Sequence, residues 1–131
     1  MKNTILKLLE YIYYFSLVIL FTIYLFPGSL IGYFLYGNLA QQPDLIPNSI
    51  GTSINHLISF IFLGSLAFIV RVRRKKFINS FKFLFFTSIV LEIFHYFIPN
   101  RAFEFYDLFA NFVGVILAYL FIKLFKKIKI R

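Results

Sequence analysis

The sequence predicts an all-α membrane protein, an antiparallel bundle of four transmembrane helices that forms a single domain over residues 1–131. Three observations support this class. Of the 131 residues, 60% are hydrophobic and only 15% are charged, whereas a soluble domain carries about 25% charged residues. A soluble chain of this size could not bury so much apolar surface, because small domains bury only part of theirs. The basic residues also flank the apolar runs, which is typical of membrane proteins.

The four predicted helices are separated by short polar segments. The first apolar run has the roughly 20 residues needed to cross about 30 Å of hydrocarbon. No small-x-small cleavage site follows it, which favours an uncleaved helix over a signal peptide. Because the connections are short, consecutive helices should be antiparallel. The predicted helices cover about 5–26, 53–70, 80–98 and 107–125.

The helix boundaries follow from local signals. Residues 29–40 are too few to span a bilayer, so we expect an interfacial or partly re-entrant segment there. Thr52 or Ser53 is a suitable N-cap for the second long helix. Pro99 should end the third helix, which would place Glu92 about six residues, or roughly 9 Å, inside it.

The distribution of basic residues predicts the orientation in the membrane. Two Lys lie near the amino terminus, six Lys and Arg lie in 71–82, and five lie from residue 123 onward. Placing these segments in the cytoplasm, together with both termini, accounts for 13 of the 14 basic residues and leaves only Arg101 outside, as the positive-inside rule requires. The net charge of +9 is therefore a topology signal, and we expect no nucleic-acid partner, since the sequence offers no basic stripe on a soluble surface.

A polar corner between the last two predicted helices is the candidate functional site. Polar side chains at a membrane are costly and mark functional sites by default. Glu92 and His95 are three residues apart and share one helix face. Arg101 and His56, the latter on a facing helix, are the partners that Glu92 could reach. The polar residues of this corner are Glu92, His95, Asn100, Arg101, Glu104, Asp107 and Asn111.

The last helix carries a stripe of small and polar residues. Asp107, Asn111, Gly114 and Ala118 follow an i, i+4, i+7, i+11 spacing. Small residues allow close approach and polar residues bond across helices, so this stripe should face a neighbouring helix. Asp107 also suits a helix N-terminus. A plain cap at Asp107 and a purely structural interhelical bond at Asn111 are the alternatives.

No cofactor and no metal are predicted. His56, His95 and Glu92 carry metal-binding groups, but no H-E-x-x-H or comparable spacing accompanies them. The absence of cysteine excludes thiolate metal sites and disulfides.

The polar corner resembles the signature of the VanZ-like family of small membrane proteins. The matching positions are Glu92, Pro99, Arg101, Asp107, Asn111 and Gly114. His56, in T-S-I-N-H, stands at the position of a family histidine. The chain departs from the family pattern at Thr52 and Ser53, where Asp and Lys are usual, and at His95, where Gln is usual.

The resemblance implies a bacterial cell-envelope protein that crosses the cytoplasmic membrane several times. The namesake of the family is associated with teicoplanin resistance in Gram-positive bacteria. We expect an outer-leaflet pocket for an anionic envelope lipid or a lipid-linked precursor, without a prediction of oligomeric state. The alternatives are an enzyme acting on a lipid-linked substrate, with Glu92 or His56 as general acid or base, and a purely structural clamp. The predicted ligand-binding residues are His56, Glu92, His95, Arg101, Asp107 and Asn111.

Overall fold

The protein is all-α, as predicted. The computed structural model describes residues 2–129, and within that range it contains five α-helices and no strand. A 3₁₀ turn, Phe77–Asn79, precedes the fourth helix. The helices are α1 (Lys2–Leu25), α2 (Leu30–Tyr36), α3 (Ser53–Arg71), α4 (Phe81–Phe94) and α5 (Phe105–Lys129).

Three helices in the described part of the chain are long and apolar enough to cross a membrane. They correspond to the first, second and fourth predicted helices, with ends that differ by a few residues. Large apolar side chains such as Phe15 and Phe109 are about two-thirds exposed on their outer faces, which suits a chain surrounded by lipid. The three segments are Asn3–Leu25, Ser53–Arg71 and Phe105–Lys126.

The predicted third helix, 80–98, is wrong at its carboxyl end. α4 has 14 residues, or about 21 Å, which is less than a straight crossing requires. Beyond Phe94, the amides of residues 95–97 bond carbonyls three residues back, so the chain tightens to 3₁₀ spacing. Ile98 precedes Pro99, and the residue before a proline disfavours the α conformation. The apolar run therefore continues past the end of the α-helix.

In the short segment after α1, the residues before α2 contact the residues that follow it. The Ser29 hydroxyl caps α2 by accepting a 2.9 Å hydrogen bond from the amide of Gly32. Gly28 has φ +93, and a Cβ there would lie 2.6 Å from the Leu39 carbonyl oxygen, so only glycine fits this turn. With seven residues, α2 is too short to span, as predicted.

Consecutive long helices are antiparallel, as predicted. The start of α1 meets the end of α3, where Glu10 contacts Arg73. The end of α1 meets the start of α3, where Tyr24 contacts His56. The short connection through Phe77–Asn79 then returns the chain into α4 alongside α3.

Among the described helices, α3 and α5 pack most closely against each other, and they run parallel. A Cβ on Gly114 would lie 2.7 Å from the Leu57 carbonyl oxygen and 2.9 Å from Phe60 Cβ. A Cβ on Gly64 would lie 2.7 Å from Ala118 Cβ. These approaches confirm that the small and polar stripe of α5 faces a neighbouring helix, which is α3. Small residues bring the two backbones together, so the starts of α3 and α5 lie side by side.

The helix α1 buries one stripe against α3 and α4. Tyr13, Leu17, Leu20 and Tyr24 recur at i, i+4, i+7 and i+11 and are all buried, as expected for one face of a helix. The two tyrosines at the ends of this stripe reach opposite ends of the helix bundle.

Candidate functional site

The residues predicted as the site come together where α1 and α4 end and α3 and α5 begin. His56, Glu92, His95, Asp107 and Asn111 are each at most 6% exposed, and Arg101 is half-buried at their edge. We call these five residues, with Tyr24, the buried polar cluster.

Glu92 has partners that differ from the predicted ones. It lies in the last turn of α4, two residues from the helix end, rather than six residues inside. Its Oε1 accepts a 3.0 Å hydrogen bond from the Glu104 amide and lies 3.3 Å from His95 Nδ1. Within residues 2–129 it bonds neither Arg101 nor His56, and Oε2 has no hydrogen-bond partner.

His95 connects Glu92 to the end of α1. Its Nε2 lies 3.2 Å from the carbonyl oxygen of Tyr24, and its Nδ1 lies 3.3 Å from Glu92 Oε1. Because a carbonyl oxygen can only accept, Nε2 is the donor in the first of these hydrogen bonds. Both ring nitrogens of His95 are therefore engaged.

Asp107 connects the starts of α5 and α3. Its Oδ1 accepts a 2.5 Å hydrogen bond from the Ser53 hydroxyl, and its Oδ2 lies 3.3 Å from His56 Nε2. Thr52 or Ser53 was predicted as the N-cap of α3. Thr52 holds that position, without a side-chain cap bond among the described residues. Ser53 is the first residue of the helix, where the parallel packing of α3 and α5 brings the Asp107 carboxylate within reach of its hydroxyl. Asp107 also lies in the first turn of α5, where the helix dipole favours its charge.

Tyr24 joins the two histidines and is not among the site residues predicted from the sequence. Its hydroxyl lies 2.7 Å from His56 Nδ1 and 3.3 Å from Asn111 Oδ1. Its ring stacks on the His95 ring with centroids 5.7 Å apart. In the described part of the chain, Asn111 Nδ2 has no partner although the residue is buried.

Arg101 holds the end of α1. It donates to the carbonyl oxygens of Ile23 and Phe26 at 2.7 and 3.4 Å, and to Gln42 Oε1 at 3.4 Å. The last carbonyls of a helix lack intrahelical partners and favour a cation. Burial lowers the pKa of the Arg101 guanidinium from its ordinary value, while the nearby acidic groups oppose that shift.

The other polar residues of the corner lie outside the cluster. Asn100 is exposed and has φ +59, so it shapes the turn before α5. The Glu104 side chain is exposed, while its backbone amide donates to Glu92. Partial burial raises the pKa of the Glu104 carboxyl from its ordinary value, and Asp107 and Glu92 raise it further by repulsion.

Two cavities adjoin the cluster, and they differ in character. The first, of about 270 Å³, lies between α1, α3 and the loop before α3, and its lining is mostly apolar. The second, of about 300 Å³, has a polar lining that includes His95, Glu104 and Asp107. Gln42 and Arg101 line both cavities.

A family model described as VanZ/LLP1 matches residues 11–126. The chain belongs to the VanZ/LLP1 family. The match covers most of the chain and includes all of the cluster. Membership of this family and the three apolar helices together fit an integral membrane protein. Searches of curated proteins and of solved structures gave no match.

The departures of this VanZ/LLP1 protein from the signature lie inside the site. Ser53 bonds Asp107 through its hydroxyl. His95, at the position of a glutamine, uses one ring nitrogen on Glu92 and the other on the Tyr24 carbonyl.

Proposed function

We propose that this VanZ/LLP1 protein binds an amphiphilic ligand of the bacterial cell envelope, an anionic lipid or a lipid-linked precursor, in the outer leaflet of the cytoplasmic membrane. The observation that carries the proposal is the junction of an apolar and a polar cavity at Gln42 and Arg101. An amphiphile has the same division between tail and headgroup. The two volumes together fall in the range of ligand sites, about 300–1,000 Å³.

The apolar cavity suits an acyl or prenyl chain. Its lining includes Ile19, Leu45 and Phe62, each of which is about half exposed on the surface of the protein. A rim of exposed apolar side chains suits entry from lipid. The tail of the ligand would then lie between α1 and α3.

The junction suits an anionic headgroup. Within residues 2–129, Arg101 donates three of its five N–H groups to the protein acceptors described above. The other two N–H groups can then donate to a ligand. A guanidinium is well suited to phosphate and carboxylate groups. His56 and Gln42 extend the polar surface on either side.

The proposed orientation places the cluster at the outer face. Arg71, Lys75, Lys123 and Lys126 line a third cavity, at the opposite end of α3 and α5, as the positive-inside rule favours for a cytoplasmic face. In this orientation α4 and its flanking turns complete a fourth crossing, so both termini are cytoplasmic. A protein that holds an envelope lipid or precursor at this face would alter what teicoplanin meets there, which is the proposed link to resistance.

The test is to fill the apolar cavity without touching the cluster. Ser59 lines that cavity and Thr22, an exposed residue of α1, does not, so Thr22→Phe is the matched control for Ser59→Phe. We expect phosphatidylglycerol to raise the Tm of the wild type and of Thr22→Phe in detergent, and to leave Ser59→Phe unchanged. Equal responses of the two variants would refute the proposed tail site.

The headgroup end has its own matched pair. Gln42 contacts Arg101 and lines both cavities, whereas the adjacent Gln41 lines neither. We expect Gln42→Ala to reduce the preference for phosphatidylglycerol over phosphatidylcholine and Gln41→Ala to keep it. An unchanged preference in both variants would contradict an anionic headgroup at the junction.

An enzyme acting on a lipid-linked substrate is the second candidate. The observation that favours it is that His95, which contacts Glu92, also lines the polar cavity, where a substrate could exchange a proton with this pair. Turnover of a lipid-linked precursor that is lost in Glu92→Gln would establish this function. Turnover that persists in this variant would exclude Glu92 as its acid or base.

A further inference from the structure

We propose that the buried polar cluster binds one divalent transition-metal ion through His56, Glu92 and Asp107. One nitrogen or oxygen from each residue lies within 4.8 Å of the others, and all three side chains are buried. Metal binding at this site goes beyond lipid binding, since Glu92 lines neither of the two cavities, although His56 and Asp107 each line one. No metal was predicted from the sequence.

His56 and Asp107 each present one ligand atom and have the other atom engaged. His56 Nδ1 bonds Tyr24 at 2.7 Å, and Tyr24 in turn bonds Asn111. Such an outer contact fixes the ring of a metal-ligating histidine and leaves Nε2, which faces Asp107 Oδ2 at 3.3 Å. Asp107 Oδ1 is held by Ser53 at 2.5 Å. The two remaining atoms contact one another directly, and an ion bound by both would replace this contact.

Glu92 completes the set in the same manner. Its Oε1 is held by the Glu104 amide and by His95. Its Oε2 has no partner within residues 2–129, although Glu92 is 0% exposed. A buried carboxylate oxygen without a partner is costly, and two nearby carboxylates repel one another. A cation between Glu92 and Asp107 would satisfy the oxygen and offset the repulsion.

The donor set indicates the class of ion. One imidazole nitrogen and two carboxylate oxygens suit Zn²⁺ or Mn²⁺ better than an ion that prefers oxygen alone. The ligand atoms of a tetrahedral Zn²⁺ lie about 3.3 Å apart, so the side chains need only rotate inward to close around an ion. Asp107 lines the polar cavity and His56 the apolar one, so the polar side supplies a path for the ion and a water ligand.

The site has no sequence motif because its ligands come from three helices. His56 is on α3, Glu92 on α4 and Asp107 on α5. The combination considered from sequence included His95, but both ring nitrogens of His95 are already bonded. Asp107 takes its place in the structure.

The test is metal binding by the full-length protein in detergent after treatment with a chelator. Titration calorimetry with ZnCl₂ and with MnCl₂ should show one ion per chain for at least one metal. Glu92→Gln and Asp107→Asn should weaken binding by about 10- to 100-fold or more. Glu10→Gln is the control, since Glu10 is also buried but lies at the other end of the bundle, and it should bind as the wild type does.

The proposed metal site can be refuted by the binding measurements themselves. Absence of stoichiometric binding by the wild type, or equal binding by Glu92→Gln and Glu10→Gln, would overturn the proposal. If the cluster variants do not fold, pulsed EPR of Mn²⁺ bound to the wild type decides instead. Coupling of Mn²⁺ to a histidine nitrogen would support the site, and its absence would overturn it.

Discussion

Glu10 and Glu92 are both buried, at opposite ends of the helix bundle, and their surroundings differ in kind. Glu10 has Arg73 and Arg74 each 3.3 Å from one of its carboxylate oxygens. Glu92 contacts His95 and a backbone amide, and among the described residues one of its oxygens has no partner. At the first end the negative charge is balanced by two guanidinium groups, while at the second end another carboxylate lies nearby.

The difference distinguishes a structural ion pair from the proposed metal site. The arginines tie α1 to the end of α3 and leave Glu10 with both oxygens engaged. Glu92 Oε2 has no hydrogen-bond partner within residues 2–129, and Asp107 lies nearby. Burial of a carboxylate alone therefore does not identify a functional site. The informative feature is a buried acceptor that the fold leaves unsatisfied.

The largest expected effect comes from removing one partner at each end. His56→Ala leaves Asp107 buried without its imidazole, and we expect a loss of about 3–5 kcal/mol in the free energy of unfolding. Arg74→Ala should cost about 1 kcal/mol or less, because this side chain is half exposed. Equilibrium unfolding in mixed micelles measures both. Similar losses of unfolding free energy in the two variants would show that a carboxylate depends equally on its partner at both ends of the bundle.

The two buried tyrosines of α1 give a finer comparison. Tyr13 donates a 2.6 Å hydrogen bond to the Ile78 carbonyl oxygen, and Tyr24 bonds His56. Each Tyr→Phe change should cost about 1–2 kcal/mol in the free energy of unfolding. Tyr24→Phe alone should also weaken zinc binding, by about 10-fold. Calorimetry on both variants checks this, and equal zinc affinities would remove Tyr24 from the site.

The smallest expected effect is the difference in unfolding free energy between Glu92→Gln and Glu10→Gln. In metal-free protein, Glu92→Gln keeps an oxygen for the Glu104 amide and replaces one of two neighbouring carboxyl groups by an amide, so its unfolding free energy should change by less than about 1 kcal/mol. Glu10→Gln loses its charge beside two arginines and should be the more destabilised of the two, by up to about 1 kcal/mol. Thermal unfolding after chelation measures the difference. A larger loss in Glu92→Gln would indicate that its charge is structurally required.

Much of the fold could be predicted from apolar runs and their breakers. The lengths of α1, α3 and α5 follow from such runs, and the small residues of α5 predict its close contact. The end of α4 could not be predicted in this way, because residues 95–98 remain apolar while the backbone changes to 3₁₀ spacing. Hydropathy reports the solvent around a segment and not its hydrogen-bond pattern.

Most residues of the site could be predicted from the sequence, but the contacts between them could not. Charged and amide residues stand out in an apolar chain, which is why His56, Glu92 and Asp107 were identified. Tyr24 was missed because the chain has nine tyrosines, and its place on a buried stripe of α1 is hidden in a helix that is apolar on every side. Arg101 was expected to meet a carboxylate or a ligand, whereas the open carbonyls at the end of α1 are nearer.

The exposed apolar rim of the cavity between α1 and α3 determines which concentration scale applies to a ligand of this site. A molecule that arrives from the bilayer searches in two dimensions, and its supply is set by its mole fraction in the leaflet and not by its concentration in water. If the cavity opens to the bilayer as proposed, some lipid would fill it at all times. Its contents then depend on the difference in affinity between competing lipids, so exchange experiments at fixed total lipid would report on this site more directly than a dissociation constant.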